Sequence, residues 1–176
     1  MLRPFVYRRY LDYGAFESLR KLKHLIEAEV RRKRLDDNFK LGEGGIREVE
    51  FIAQVFELTR GGRVNELVER SLRKTLRHLD KLQLLPSEVS RNLDTCYVFL
   101  RRLENIMQEF NDQQTQSLPQ KEKDQKRLTI ALKQQSYEDV LNLLTKVRNY
   151  VHKEFCKVIR DDKKENSQES HENLEI

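Results

Sequence analysis

A glycine-rich turn that runs directly into a helical pattern is the feature that most constrains this chain. The segment reads Lys40-Leu-Gly-Glu-Gly-Gly-Ile-Arg-Glu-Val-Glu-Phe-Ile-Ala-Gln54. Its glycines permit positive φ angles and close approach of another backbone, and they leave first-turn N–H groups free to bind an anion. We therefore expect a tight turn at a helix start, and the candidate binders of a phosphate are Lys40, Gly42, Gly44, Gly45 and Arg47.

The helix that follows the turn carries a polar row beside an apolar one. Arg47, Glu50 and Gln54 stand at positions i, i+3 and i+7, which fall on one helical stripe. The same residue types recur in the same order and spacing at Arg101, Glu104 and Gln108. Two such rows can pair face to face through arginine–carboxylate contacts, can line a cleft for a phosphate and a proton-transfer group, or can be solvated faces. Pairing is the interpretation that we favour, and the other two stay open.

Helical spacing of apolar residues extends over most of the chain, and no segment alternates with a period of two. We predict an all-α helical bundle of about six helices, over residues 13–33, 45–61, 70–82, 87–112, 122–133 and 136–160. Gly61-Gly62 marks one helix end, Pro86 suits a first helical turn, and Ser136-Tyr-Glu-Asp139 has the form of a capping box. The ten residues before the first helix, from Arg3 to Asp12, are expected to form a short docking lead-in.

Composition and charge divide the chain into a body and a tail. With 38% hydrophobic and 36% charged residues, and only 6 Gly and 3 Pro, the 176 residues suit one helical domain. Residues 161–176 carry six acids against two lysines, a net of −4, which leaves about +9 on the remainder of a chain whose formal charge is +5. We expect a helical domain at 1–160, suited to an anionic partner, and a disordered acidic tail or linker at 161–176.

Several functional classes find no support in the residues. No run is long and apolar enough to span a membrane, and no secretory signal follows Met1, so we expect a cytoplasmic protein. Cys96 and Cys156 are expected to be buried, reduced thiols, and no nucleophile motif is present. We expect no metal ligands, because Asp36-Asp37 follow a basic run and His24, His78, His152 and His171 lack partners at ligand spacing. The cations are interleaved with acids, so a nucleic-acid groove is not expected.

The order of these motifs resembles the glutamine synthetase adenylyltransferase family over roughly residues 3–160. The matching segments are Arg3–Asp12, Glu29–Arg32, Asn38, Lys40–Gln54, Arg60–Arg63, Arg70–Leu72, Phe99–Asn105, Asp112–Gln116 and Leu118–Pro119. The resemblance is to the helical segment that follows a nucleotidyltransferase domain. The Arg-Arg-Leu-Glu-Asn and Gln-Thr-Gln elements are similar to the amino-terminal half, which the family uses for adenylyl removal.

The resemblance implies a part in a bifunctional enzyme that regulates nitrogen metabolism. Such enzymes transfer AMP from ATP to a tyrosine of glutamine synthetase and remove it by phosphorolysis, which yields ADP. Magnesium serves both reactions, and the PII signal protein and glutamine set the balance between them. Glutamine synthetase, PII and an upstream nucleotidyltransferase domain are therefore the expected partners.

One departure from the family pattern limits the expected activity. The family's catalytic carboxylates lie in a Gly-Ser…Asp-x-Asp motif of the preceding domain, and neither Gly-Ser nor Asp-x-Asp occurs in these 176 residues. Phosphoryl chemistry needs carboxylates that bridge metal ions at the reacting phosphate, so we expect no catalytic residues in this chain and no turnover by the chain alone. The leading hypothesis is a helical accessory segment that completes a nucleotide cleft. The alternative is a non-catalytic module that docks glutamine synthetase or PII, and a nonspecific nucleic-acid binder is the third.

Overall fold

A computed structural model describes Lys21 and residues 38–61, 64–67, 69–111 and 118–172. Its helices are α1 (Ile46–Arg60), a 3-10 helix (Asn65–Leu67), α2 (Leu72–Lys81), α3 (Ser87–Asn111), α4 (Glu122–Ala131) and α5 (Tyr137–Glu172). Because these ranges contain helices and no strand, the prediction of an all-α bundle is confirmed. The predicted lead-in at 3–12, Asp36-Asp37 and the first predicted helix lie outside the described residues, apart from the helical Lys21.

Helix α3 is the centre of the bundle, and α1, α2, α4 and α5 all pack against it. The face of α3 predicted to be apolar is buried, since Leu93, Leu100, Leu103 and Met107 are almost completely removed from solvent. Burial of each such side chain stabilises the fold by roughly 1.5–3 kcal/mol. Helix α1 in turn contacts α2 and α5, and the contact of Glu48 with His152 places the amino-terminal end of α1 against the last helix.

The expected helix boundaries agree closely with the structure, with one exception. Helix α1 ends at Arg60, where the N–H group of Gly61 donates to the Glu57 carbonyl oxygen at 2.9 Å. The capping box forms at the start of α5, because the Ser136 hydroxyl accepts from the Asp139 N–H at 3.1 Å while the Asp139 carboxylate accepts from the Ser136 N–H at 3.0 Å. The exception is the far end of α5, which extends to Glu172 rather than ending near Arg160. Disorder of the acidic tail in solution stays a prediction.

Two helices end at residues other than glycine in the left-handed region. Gln83 follows α2 with a φ of 55°, and Lys133 follows α4 with a φ of 57°. After each, an N–H group reaches back to the helix, from Leu84 to the Leu79 carbonyl at 2.9 Å and from Gln134 to the Thr129 carbonyl at 3.0 Å. This pattern satisfies carbonyl groups that the helix end would otherwise leave without a partner. Among the described helices, none has the length and apolar character that crossing a membrane requires.

Candidate functional site

The glycine-rich turn is a compact loop built around a buried asparagine. The Asn38 side chain is 5% exposed, and its Oδ1 atom accepts hydrogen bonds from the N–H groups of Lys40 and Leu41, each at 2.9 Å. The Asn38 carbonyl oxygen also accepts from the Gly42 N–H at 2.8 Å. One short side chain therefore closes the turn from inside, as asparagine does in Asx turns.

The turn uses its own N–H groups internally. The Gly45 N–H donates to the Gly42 carbonyl at 3.0 Å, that of Ile46 to the Phe39 carbonyl at 3.2 Å and that of Arg47 to the Lys40 carbonyl at 3.0 Å. The expectation of free N–H groups at this helix start is therefore wrong, because the loop folds back and supplies carbonyl acceptors for them. Any anion at this turn would be held by side chains.

Close backbone approach, the other role expected of the glycines, is present at Gly44. This residue has a φ of +68°, and a Cβ atom placed on it would lie 2.0 Å from the carbonyl oxygen of Arg148 in α5. At Gly45, an added Cβ would stand 2.8 Å from the carbonyl oxygens of three residues of the turn, including Lys40. Side chains at these positions would push the turn away from α5 or open the turn itself.

Helix α5 holds the turn through polar contacts as well. Arg148 Nε donates to the Glu43 carbonyl oxygen at 2.7 Å, and His152 Nδ1 lies 3.0 Å from Glu48 Oε1. Glu48 also accepts the Gly44 N–H at 3.0 Å through Oε2. The sequence pointed to no partner of His152 at metal-ligand spacing, and the structure joins it to Glu48 of α1. His152 follows Arg148 by four residues, so both lie on one side of α5. That spacing was the sequence signal that could have indicated a shared contact surface.

The two polar rows meet at the end nearest the turn. Arg101 donates to Glu50 Oε1 at 2.6 Å and to Glu104 Oε2 at 2.7 Å, and its Nε atom donates to the Tyr97 hydroxyl at 3.0 Å. Lys40 Nζ lies 3.0 Å from Glu104 Oε1, which connects the turn to α3. Glu50, Arg101, Glu104 and Lys40 thus form one network, which we call the ion-pair network.

The carboxylate of Glu104 lies deepest in the ion-pair network, with 4% of its side chain exposed. Burial raises the pKa of Glu104, but hydrogen bonds from Arg101 and Lys40 outweigh burial and hold that pKa below its ordinary value of 4.5. For Arg101, burial lowers the pKa, yet its contacts with Glu104, Tyr97 and Glu50 raise it overall. Both groups are therefore charged at neutral pH, and they hold α1 and α3 in register.

The remaining predicted residues lie further out. The Arg47 side chain is 52% exposed and contacts Glu50 only at 3.4 Å. Gln54 and Gln108, one at the far end of each row, are exposed. The two rows therefore meet through Glu50, Arg101 and Glu104, next to Lys40. Gln54 and Gln108 take no part in this contact.

The chemical capacity of this region is electrostatic. Lys40, Arg47, Arg101 and Arg148 carry four positive charges, and Glu43, Glu48, Glu50 and Glu104 carry four negative charges, so the turn and its partners have no net charge. Within the ranges that the structure describes, no group of three or more His, Cys, Asp or Glu residues could hold a metal ion. Lys40 and Arg47 keep exposed side chains, at 34% and 52%, while the carboxylates of Glu50 and Glu104 are engaged by cations.

Comparison with known proteins identifies a family. A model of the GlnD PII-uridylyltransferase family matches residues 20–159. The chain is 49% identical over 162 residues to a bifunctional glutamine synthetase adenylyltransferase/adenylyl-removing enzyme of Psychromonas ingrahamii, and the match covers 92% of this chain and 17% of that protein. An enzyme of the same description from Pasteurella multocida is 48% identical over 162 residues, which cover 91% of this chain and 16% of that protein. The chain thus spans about one sixth of the length of these curated relatives. It belongs to the GlnD PII-uridylyltransferase family, and its sequence is similar to one segment of the bifunctional glutamine synthetase adenylyltransferase/adenylyl-removing enzymes.

Proposed function

We propose that this chain is the helical accessory segment of a bifunctional enzyme that adds AMP to glutamine synthetase and removes it. We assign the segment to the half that removes AMP by phosphorolysis. The motif order from Lys40 to Asn105 and the identity to two enzymes of that description support the proposal. A cytoplasmic location and a role in nitrogen regulation belong to the same proposal.

The observation that carries the proposal is a rigid turn with cations at its edge. The ion-pair network fixes the turn to α3, and Arg148 and His152 fix it to α5. Lys40 and Arg47 keep 34% and 52% of their side chains exposed, so an anion at the surface of the turn can contact them. A cation held in place, as Lys40 is by Glu104, suits the phosphates of ATP or ADP because it needs little reorganisation when the anion arrives. The upstream nucleotidyltransferase domain would supply the rest of the cleft.

Magnesium is assigned to the parent enzyme rather than to this segment. Glu50 and Glu104 accept from Arg101 and Lys40, and a divalent ion would have to displace those cations. The chemistry of this donor set therefore does not fit a magnesium ion. Glu50, Glu104 and Arg101 position the turn, and Lys40 contacts the nucleotide.

A second candidate function is a docking module for glutamine synthetase or the PII signal protein. The charge of about +9 on residues 1–160 supports it, because a basic surface favours association with acidic partners. In this alternative Lys40 and Arg47 contact a protein, and nucleotide binding is absent from the segment.

Titration calorimetry of the chain with ATP, ADP, PII and glutamine synthetase separates the two candidates. The cleft predicts weak nucleotide binding that is lost in Arg47→Ala and retained in the control Lys126→Ala, whose exposed side chain pairs with Glu122 on α4. Docking predicts PII or glutamine synthetase binding without nucleotide binding. If the chain binds none of the four, both the cleft and the docking module are contradicted for this segment.

A further inference from the structure

His152 lies between a thiol and a carboxylate. Its Nε2 atom is 3.6 Å from the sulfur of Cys156, and its Nδ1 atom is 3.0 Å and 3.1 Å from the two oxygens of Glu48. Cys156 and His152 stand one turn apart on α5, while Glu48 comes from the first turn of α1. A nucleophile beside a base that a third group orients is the arrangement of enzymes with activated cysteine or serine.

The imidazole ring of His152 is held in place on both sides. Glu48 is itself fixed, since it accepts the N–H of Gly44 at 3.0 Å. Phe155 packs against the His152 ring with centroids 6.4 Å apart, and Phe155 in turn meets Phe51 edge to face at 5.6 Å. A ring anchored in this way keeps Nε2 directed at the sulfur.

The hydrogen bonds determine how the proton moves. Because a carboxylate only accepts, Nδ1 carries the hydrogen that Glu48 receives, and Nε2 keeps a lone pair towards Cys156. Transfer of the thiol proton to Nε2 produces a thiolate and an imidazolium. Glu48 thus orients the ring through Nδ1 and leaves Nε2 as the atom that receives the thiol proton.

The second cysteine provides a comparison within the same chain. Cys96 on α3 is 8% exposed, and burial raises the pKa of its thiol to about 11. Cys156 is only half-buried, and the His152 side chain beside it is 34% exposed. A small reagent can therefore reach Cys156 while Cys96 is both shielded and protonated.

We propose that Cys156 is a base-activated thiol that forms mixed disulfides with low-molecular-weight disulfides such as glutathione disulfide. The Cys156 thiolate attacks one sulfur of the reagent, a new sulfur–sulfur bond forms, and the bond within the reagent breaks. The departing thiolate takes the proton from His152 Nε2, so that one thiol leaves and the Cys156 sulfur is oxidised as the reagent is reduced. This modification site is independent of the adenylyl chemistry proposed above.

The test is the rate at which glutathione disulfide modifies the folded chain, followed by intact mass and assigned by peptide mapping. We expect Cys156 to react well before Cys96, and faster in the folded chain than in the urea-unfolded chain. His152→Gln should slow the reaction at Cys156 by roughly 10²-fold, the lower end of what a positioned base contributes. Cys156→Ser should abolish the fast reaction.

The matched control is His78→Gln, which changes a histidine of α2 whose ring contacts the Glu66 carbonyl oxygen and should leave the rate unchanged. A loss of less than about tenfold in a folded His152→Gln variant overturns the proposal. Circular dichroism reports whether that variant folds. If it does not, the unsubstituted chain decides, because a folded Cys156 that reacts no faster than the unfolded one overturns the proposal by itself.

Discussion

The guanidinium group of Arg101 donates to the Glu50 carboxylate across 2.6 Å, and this contact joins two helices through residues 51 positions apart in the chain. Arg101 also donates to Glu104 on its own helix, so one cation satisfies carboxylates of both α1 and α3. Lys40 connects the glycine turn to the same ion-pair network through its contact with Glu104. The helix that follows the glycine turn is therefore aligned on α3 by charge as well as by apolar packing.

Truncation of Glu104 should destabilise the chain far more than truncation of Glu50. Glu104 is 4% exposed in its side chain and accepts from both Arg101 and Lys40, whereas Glu50 is 20% exposed. We expect Glu104→Ala to reduce the free energy of unfolding by about 3 kcal/mol and Glu50→Ala by about 1 kcal/mol, as for buried and partly solvated pairs. Urea denaturation measures both, with Gln108→Ala as an exposed control on α3. Equal effects of the two substitutions would show that burial does not determine the strength of the network.

The same network predicts how stability depends on pH. Although burial raises the pKa of Glu104, hydrogen bonds from Arg101 and Lys40 lower it below 4.5. The stability that the ionised carboxylate provides is therefore complete above about pH 4.5 and is lost as the pH falls through the lowered, folded-state pKa. Glu69 and Glu122 also have lowered pKa values, so the measured quantity is the difference between the unsubstituted chain and Glu104→Gln. That difference should shrink on acidification from pH 6 to about pH 3, and a constant difference would contradict the assignment.

A side chain at position 44 should be poorly tolerated. Gly44 has a φ of +68°, and an added Cβ would lie 2.0 Å from the Arg148 carbonyl oxygen, a backbone atom that cannot rotate away. We expect Gly44→Ala to cost about 3 kcal/mol or more of unfolding free energy, because left-handed strain and the clash add. Gly45→Ala is the comparison, since it meets turn oxygens at 2.8 Å with an ordinary φ, and its cost should be smaller. Thermal denaturation of the two variants measures the two losses, and a larger loss for Gly45→Ala would contradict the prediction.

Local patterns were sufficient to predict most of the fold. Leu100, Leu103 and Met107 follow the spacing of a buried helical face and are buried in α3. The Arg101 and Glu104 contact is similarly local, at i and i+3. The end of α5 was harder to predict, because the apolar face ends at Ile159 while the helix continues to Glu172.

The contacts of α5 with the turn could not be predicted from helical periodicity. His152 and Glu48 are 104 positions apart, and only the stacking of α5 on the turn brings them together. For the same reason, the occupied N–H groups of the turn were not foreseen. A glycine-rich helix start predicts N–H groups without an acceptor. Whether a carbonyl of the loop accepts from them depends on the path of the loop, and here the Phe39 carbonyl accepts from the Ile46 N–H.

The capping box at the start of α5 should contribute measurably to stability. The Ser136 hydroxyl accepts from the Asp139 N–H at 3.1 Å and donates to the Asp139 carboxylate at 2.7 Å. We expect Ser136→Ala to reduce the free energy of unfolding by about 1 kcal/mol, the usual effect of an N-cap loss. Thr145→Ala, at an exposed position within α5, serves as the control because its hydroxyl only bonds back to the Leu141 carbonyl. Similar losses in both variants would argue against a specific role of the cap.

The chain by itself should have no adenylyl activity. It contains neither Gly-Ser nor Asp-x-Asp, and Glu50 and Glu104 are engaged by cations. Supplied with magnesium, ATP and glutamine synthetase it should transfer no AMP, and with phosphate and adenylylated glutamine synthetase it should release no ADP. Radiolabelled AMP on glutamine synthetase and chromatography of ADP provide the two measurements. Turnover above background in either assay would require catalytic residues that the proposal does not include.

The contact between Gly44 and Arg148 also determines when the turn can attach to α5. Arg148 Nε donates to the Glu43 carbonyl across a separation of 105 residues, and the His152 contact with Glu48 spans nearly as many. During synthesis the turn leaves the ribosome long before α5 does, so its left-handed glycine and its charged partners must wait for the last helix. A pause or truncation before residue 148 would therefore leave α1 and α3 to associate through Arg101, with the turn closed by Asn38 but not attached to a last helix. On this order of events, the contacts between the glycine turn and α5 are among the last in the bundle to form.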